Sequence, residues 1–435
     1  MKLRYNVGLL LAAMSGGAGA SGFALVEQGV GGLGNAYAGA AAVAEDASTI
    51  YYNPAGMSRL SGSQYTVAVH AIQPSTTFSD TTSSAASLQS KGGNGGDASS
   101  LAPVPNVYFV SELDPKLKLG FAINAPFGAQ PSYDPSWVGR FQAIQTSLQT
   151  INLNPSLSYQ VNDAVSVGAG ISYQRISGEL TSATNYSALA FAAGGAALLT
   201  YIGGSGKEGV SSISGSDNSF GYNLGTLVNI GTQTRVGMSY RSQVKHSLGG
   251  TVSFSGVPTA LSGVSRVANG DVTLDITLPD TFSGSVVHQL NPQLDLLADV
   301  TWTGWSTFQS LDVIRSNGTT LTSIPENWRN TWRTSLGATH RYNDLWTARL
   351  GVAYDQTPVS DTYRTARIPD QDRTWFALGG QYKFAKNSAV DFGYAHLFMN
   401  STSISQNLSA AGSGSLQGNY SNAVNIYSLQ YGHSF

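Results

Sequence analysis

From Val424 to Phe435 the chain alternates between two kinds of side chain. Tyr427, Leu429, Tyr431, His433 and Phe435 share one parity, with Asn425 the polar exception; Ile426, Ser428, Gln430, Gly432 and Ser434 share the other. Successive side chains of a strand point to opposite faces, so this segment is a strand with one aromatic, apolar face and one mostly small or polar face. Such a strand belongs where lipid lies on one side and a polar lumen on the other. The alternation recurs over 151–161, 332–342, 346–354, 376–384 and 390–398. Tyr, Trp and Phe gather at the strand ends, as in the girdles that mark the two membrane interfaces.

Composition excludes the competing classes. The 435 residues are 11% charged and 10% aromatic, with a formal net charge of −2. That balance argues against disorder. Beyond the N-terminus no uninterrupted apolar run reaches the ~18 residues of a membrane helix. No basic block points to nucleic acid. Cysteine is absent, which leaves neither a disulfide framework nor a thiolate metal site. Lys2 and Arg4, the apolar stretch Val7 to Met14 and Ala18-Gly19-Ala20 read as a signal peptide over 1–20, cleaved after Ala20. A leader followed by barrel strands predicts the outer membrane of a Gram-negative envelope.

The spacing of turns predicts the architecture. Tight turns at Asp114-Pro115, Asn162-Asp163, Gly231-Thr232, Asn291-Pro292, Asn343-Asp344 and Lys386-Asn387 alternate with long polar segments near 73–102, 125–147, 181–217, 248–276, 308–329, 357–371 and 401–423. Six short turns on the periplasmic side and seven long loops outside make an all-β, fourteen-stranded antiparallel barrel over 63–435. Residues 21–62 are rich in Gly and Ala and are not strand-like. Entering from the periplasmic end, they are expected to fold into the lumen as a hatch.

Signals for catalysis are weak. Gly29, Gly31 and Gly34 satisfy G-x-G-x-x-G, but no strand of a βαβ unit precedes them, so they read as close packing of the hatch. No G-x-S-x-G is present, and none of the six His stands at metal-ligand spacing. We therefore expect no catalytic residue, metal or cofactor. His288, His340, His396 and His433 fall on the outward parity near strand ends, as interfacial residues do. Asp370 and Asp372, beside Arg373, are expected to pair locally. Arg329, Arg333 and Arg349 fall on the lumen parity, away from lipid, where a guanidinium can match a carboxylate bidentately. Pairing with lumen acids such as Asp295 and Asp299 is the plainer alternative. Two outer loops are apolar: 189–202, with Leu189, Phe191, Leu198 and Leu199, and 257–267, with Leu261. Each is expected to form a short helix. Together they either bind a greasy ligand from outside or pack on each other and cap the barrel.

Several segments taken together resemble the long-chain fatty acid outer-membrane transporter family, which also contains the toluene and xylene channels. They are Ser21-Gly22-Phe23, the run Gly32-Leu33-Gly34-Asn35-Ala36-Tyr37-Ala38-Gly39, Asn53-Pro54-Ala55-Gly56-Met57, the run 240–245, Leu278-Pro279-Asp280, the run 302–308 and Ile368-Pro369-Asp370-Gln371-Asp372-Arg373. The resemblance covers the whole mature chain. It implies passive uptake of a long-chain fatty acid or other hydrophobic small molecule. The barrel is expected to contact outer-membrane lipid and lipopolysaccharide as a monomer and not to be an enzyme; a structural or adhesive surface barrel is the remote alternative. Substrate would meet an apolar groove between the two outer loops, then a pocket near the mature N-terminus at Phe23. Hatch movement, over Gly32, Gly34, Asn53, Pro54 and Ala55, would join that pocket to a lateral opening at a strand kink matching Pro126, Phe127 and Gly128. A proline lacks the N–H that a ladder needs, and a glycine lets the backbone bend. A basic residue for the carboxylate aligns with Arg329. A second falls at Leu180, which is uncharged; Arg175 is the nearby substitute, and an uncharged hydrocarbon is the alternative cargo.

Overall fold

The computed structural model describes residues 21–435; the expected leader lies outside them. Fourteen antiparallel strands close into a barrel. They are β1 Gln64–Asp80, β2 Ala102–Asp114, β3 Leu117–Asn124, β4 Gln145–Gln160 and β5 Val165–Asn185. Then come β6 Glu208–Ile230, β7 Thr234–Arg241 continuing as Val244–Phe254, β8 Gly270–Leu278 continuing as Thr281–Asn291, and β9 Leu294–Thr303. The last five are β10 Thr331–Arg341, β11 Trp346–Asp355, β12 Arg373–Ala385, β13 Ser388–Met399 and β14 Ser415–Ser434. The ring closes where β1 pairs with β14 from Gln64↔Ser434 to Asp80↔Gly418. Closure leaves no edge to satisfy in lipid, the condition a sheet must meet in order to span a bilayer.

The expected parity holds around the wall. Tyr427 and Leu429 face outward while Ile426, Ser428 and Gln430 are buried inward. Tyr159, Trp346, Tyr382 and Phe384 mark one interface, and Phe220, Tyr222, Phe282, Trp332 and Phe398 the other. The six tight turns stand where the spacing put them. The long outer segments differ from expectation: much of their length is strand. β5, β6 and β14 run far into them, and Ser310–Arg315 and Thr320–Pro325 form an added hairpin inside 308–329. In these outer stretches the ladder continues while the alternation changes sense, with apolar residues such as Val272 and Ile276 buried inside and polar ones such as Thr273 and Asp275 exposed.

The hatch fills the periplasmic half of the lumen with short helices: α1 Val30–Gly34, α2 Ala40–Val43, α3 Thr49–Tyr52 and the 3-10 turn Pro54–Arg59. Its fit depends on glycines in the wall that face it. A Cβ on Gly351 would lie 2.0 Å from the Asn35 carbonyl carbon, and one on Gly237 1.9 Å from the Ala41 oxygen. On the hatch side, a Cβ at Gly34 would stand 3.0 Å from Gly379 Cα, and one at Gly32 2.7 Å from the Tyr37 ring. Asn53 ties hatch to wall: Nδ2 donates to Ala41 O (2.7 Å) and Thr226 O (3.0 Å), while Oδ1 accepts from Ala55 N (3.0 Å). Pro54 follows at the first position of the 3-10 turn, where no N–H is required. Arg349, buried, pairs with Glu45 of the hatch at 2.8 Å and Asp391 of the wall at 2.7 Å.

A candidate passage from an outer cavity to the barrel wall

β3 leaves the sheet after Asn124. Its ladder with β2 ends at Val107↔Ile123 and with β4 at Asn124↔Asn152, and pairing with β4 resumes only at Gly128↔Gln149. The intervening Ala125, Pro126 and Phe127 turn inward, as the proline and glycine of that segment predict. A cleft of about 320 Å³ remains between β2 and β4, lined by Pro103, Pro105, Ala125, Gln149 and Ile151, with Leu25 and Phe127 on its inner side. Pro103 and Pro105 stand on the stretch of β2 that β3 leaves unpaired. A proline has no N–H to lose there, so the edge costs less than an ordinary one.

The segment 21–25 seals this cleft from inside. Leu25 N donates to Pro126 O (2.8 Å), Gly128 N donates to Phe23 O (2.9 Å), and Ala24 bridges Phe127. Residues 23–25 thus act as a short strand added to the inward-folded kink. Upstream, Gly22 N donates to Asp370 Oδ2 (2.9 Å) and Ser21 Oγ to Gln356 O (2.6 Å). Asp370 is itself paired with Arg373 and accepts from Thr357 Oγ1 at 2.6 Å. Gly22 has φ +64°, and a Cβ there would stand 2.6 Å from Trp328. Only glycine fits both conditions.

Phe23 is 1% exposed inside an aromatic cage. Its ring centroid lies 4.8 Å from Trp305, 5.5 Å from Trp328, 5.8 Å from Phe308 and 6.0 Å from Phe127. On its outer side Phe23 borders a cavity of about 780 Å³, partly open to solvent. Leu148, Ile176, Leu180, Leu248, Val272, Leu274 and Ile276 make its walls apolar, and Glu326 and Arg367 are the charged residues that line it. Burial pushes the Glu326 carboxyl up to about 8 and the Arg367 guanidinium down to about 10. The four residues from Ser21 to Ala24, with Leu25, therefore stand between an apolar outer cavity and a cleft facing lipid.

The other sequence-derived positions fall as follows. α4, Tyr186–Tyr201, lies on the first apolar loop and is interrupted at Gly194 and Gly195. The second loop forms two 3-10 turns, Thr259–Leu261 and Ser265–Val267, instead of one helix. Leu189 and Leu198 pack with buried Leu261 and Val267, so the loops do meet. Leu199 is half-buried, and Phe191 is 53% exposed on the outer face of α4. Leu180 lines the outer cavity. Arg175 is exposed on the outward parity of β5, bonded to Ser216 Oγ, and cannot supply a charge to the lumen. Arg329 also departs from expectation. It precedes β10, where alternation has not begun; its side chain is exposed, its Nε donates to Thr357 O, and it lines neither the outer cavity nor the wall cleft. Trp328 takes the inward place instead. Arg333 does face the lumen, donating to Ala36 O of the hatch at 2.5 Å. Arg367 and Glu326 were missed as cavity residues, and Trp305 and Trp328 as the cage around Phe23, because they lie outside the alternating segments that assign a side chain to a face.

Residues 11–435 match the family described as outer membrane protein transport protein (OMPP1/FadL/TodX). The long-chain fatty acid transport protein of Escherichia coli K12 is 31% identical over 421 residues, covering 91% of this chain and 92% of that one. Outer membrane protein P1 of Haemophilus influenzae is 33% identical over 419 residues, covering 91% and 90%. A crystal structure of a Pseudomonas aeruginosa FadL homologue superimposes with a TM-score of 0.86 at 26% identity, covering 95% of this chain and all of that one. The Ralstonia pickettii toluene transporter TbuX, at 22% identity and TM-score 0.64, shares the fold. A closed, hatch-filled barrel of the Gram-negative outer membrane, this chain belongs to the outer membrane transport protein family OMPP1/FadL/TodX.

Proposed function

We propose that the protein takes up long-chain fatty acids across the outer membrane without an energy source, by capture, transfer and sideways release. The observation that carries this reading is the seal at Phe23-Ala24-Leu25. One thin backbone segment separates an apolar cavity from a break in the wall. Capture begins at the exposed apolar face of α4, where Phe191 extends from a helix seated by Leu189, Leu198 and Leu261. The molecule then enters the outer cavity against Phe23. When the N-terminal segment leaves the kink, its two backbone hydrogen bonds there break and the cavity joins the cleft. An apolar chain passes from there into lipid and never crosses the polar periplasm. Hatch residues Gly32, Gly34, Asn53, Pro54 and Ala55 hold the remainder of the plug against the wall during that step.

The fatty acid is favoured over an uncharged hydrocarbon by the relative at 31% identity and by a guanidinium at the cavity wall. The test is growth of a transporter-deficient strain carrying this protein on oleate or on toluene as sole carbon source. Growth on oleate is expected. Growth restored on toluene alone would replace the fatty acid by an aromatic hydrocarbon.

A further inference from the structure

We propose that Arg367 and Glu326 form the polar end of the outer cavity and select a single-chain carboxylate, holding its head between a guanidinium and a carboxylic acid. This inference rests on the fatty-acid reading and assigns its head-group site. The two side chains come from different outer segments, Glu326 from the stretch between the added hairpin and β10, Arg367 from the loop before β12. They are 2% and 7% exposed, and both line a cavity whose other walls are apolar. Among the described residues no ion pair joins them, and none is made by Arg367 to any other acid.

Their local partners leave capacity for a ligand. Arg367 Nη1 donates to Gln145 O (3.3 Å) and Thr146 Oγ1 (3.2 Å), while its buried Nε has no partner. A desolvated guanidinium held only by neutral oxygens is costly, and a carboxylate offsets that cost through charge-assisted bonds. Glu326 accepts from Trp328 Nε1 at 3.0 Å and, weakly, from Thr365 Oγ1 at 3.5 Å. The ionisable groups acting on the pair are each other and, for Arg367, Tyr133. With its carboxyl raised to about 8, Glu326 keeps its proton at neutral pH and can donate it in a hydrogen bond to a carboxylate. Above that value Glu326 is an anion facing the ligand, so binding requires the uptake of a proton. Affinity is therefore flat below pH 8 and falls by up to about tenfold per pH unit above it.

The experiment measures binding of oleate and of oleyl alcohol to the full barrel in lipid nanodiscs from pH 6.5 to 9.5. Arg367→Met should weaken oleate at least about tenfold, the loss of one charge-assisted contact of roughly 1.5–3 kcal/mol, and alter oleyl alcohol less than about twofold. Glu326→Gln should flatten the alkaline weakening of oleate. Arg329→Met, outside the cavity, should leave both ligands unaffected. Equal loss of both ligands in Arg367→Met, or an unchanged oleate affinity, overturns the assignment, as does an alkaline fall that persists in Glu326→Gln. The last readout stands even where Arg367→Met fails to fold. Wild-type protein that binds oleyl alcohol but not oleate would refute the fatty-acid reading itself.

Discussion

Gly22 shows how one missing Cβ can set a gate. At φ +64° it lies in the left-handed region, and its α-carbon faces the Trp328 ring. Placing a side chain there costs about 1–2 kcal/mol in backbone strain before the indole contact is counted. The strain falls on a segment held by few bonds: Gly22 N to Asp370, Leu25 N to Pro126 and Gly128 N to Phe23. Gly22→Ala should therefore release the segment at least roughly tenfold more often, since 1.4 kcal/mol is a factor of ten. Acrylamide quenching of the Trp305 and Trp328 fluorescence should rise, because Phe23 leaves their cage. Unchanged quenching would mean that the aromatic cage holds Phe23 without help from Gly22. Asp370 acts at the same scale. It accepts from Gly22 and Thr357 while pairing with buried Arg373, so the acid-rich run 370–373 holds the hatch, and the local pairing expected of it is only part of its role.

At the scale of elements, the kink in β3 gives the wall its opening. Ala125 is half-buried at the cleft, beside Pro103 and Pro105 on β2 and Ile151 on β4. Ala125→Trp should fill the gap with an indole, leave oleate binding in the outer cavity in place, and lower uptake roughly tenfold or more, the factor that 1.4 kcal/mol at the narrowest point produces. Unaltered uptake would require another exit. The kink was legible in Pro126 and Gly128 because both act through the backbone, whatever surrounds them. Strand number and closure were legible for a similar reason: a period of two and a tight turn are local properties. The outer cavity was not. Its walls come from the upper reaches of β5, β6, β7 and β8, where the alternation changes sense: Val272, Leu274 and Ile276 of β8 turn inward while Thr273 and Asp275 are exposed, so a parity that sends apolar residues to lipid assigns the wrong face. Arg329 failed for a related reason, since a parity counted back from Arg333 stops at Thr331, where β10 begins.

At the scale of the whole molecule, the barrel and its seal are separable. Closure depends on the β1–β14 ladder and on thirteen further strand contacts around the ring, none of which uses residues 21–27. The rest of the hatch keeps its own anchors, Asn53 on Thr226, Arg349 on Glu45 and Gln430 Nε2 on Asp46 at 2.9 Å. Deleting residues 21–27 while keeping the leader should therefore yield a barrel that assembles and shows the usual heat-modifiable migration on a gel. Oleate uptake should nevertheless fall sharply. Phe23 is one wall of the outer cavity as well as part of the seal, so its loss removes the surface on which a chain is held before release. The cleft and the outer cavity would then be joined permanently, and small apolar dyes should leak through a barrel that no longer concentrates fatty acid. Normal oleate uptake by the deleted barrel would show that cargo reaches lipid by a path that does not pass Phe23.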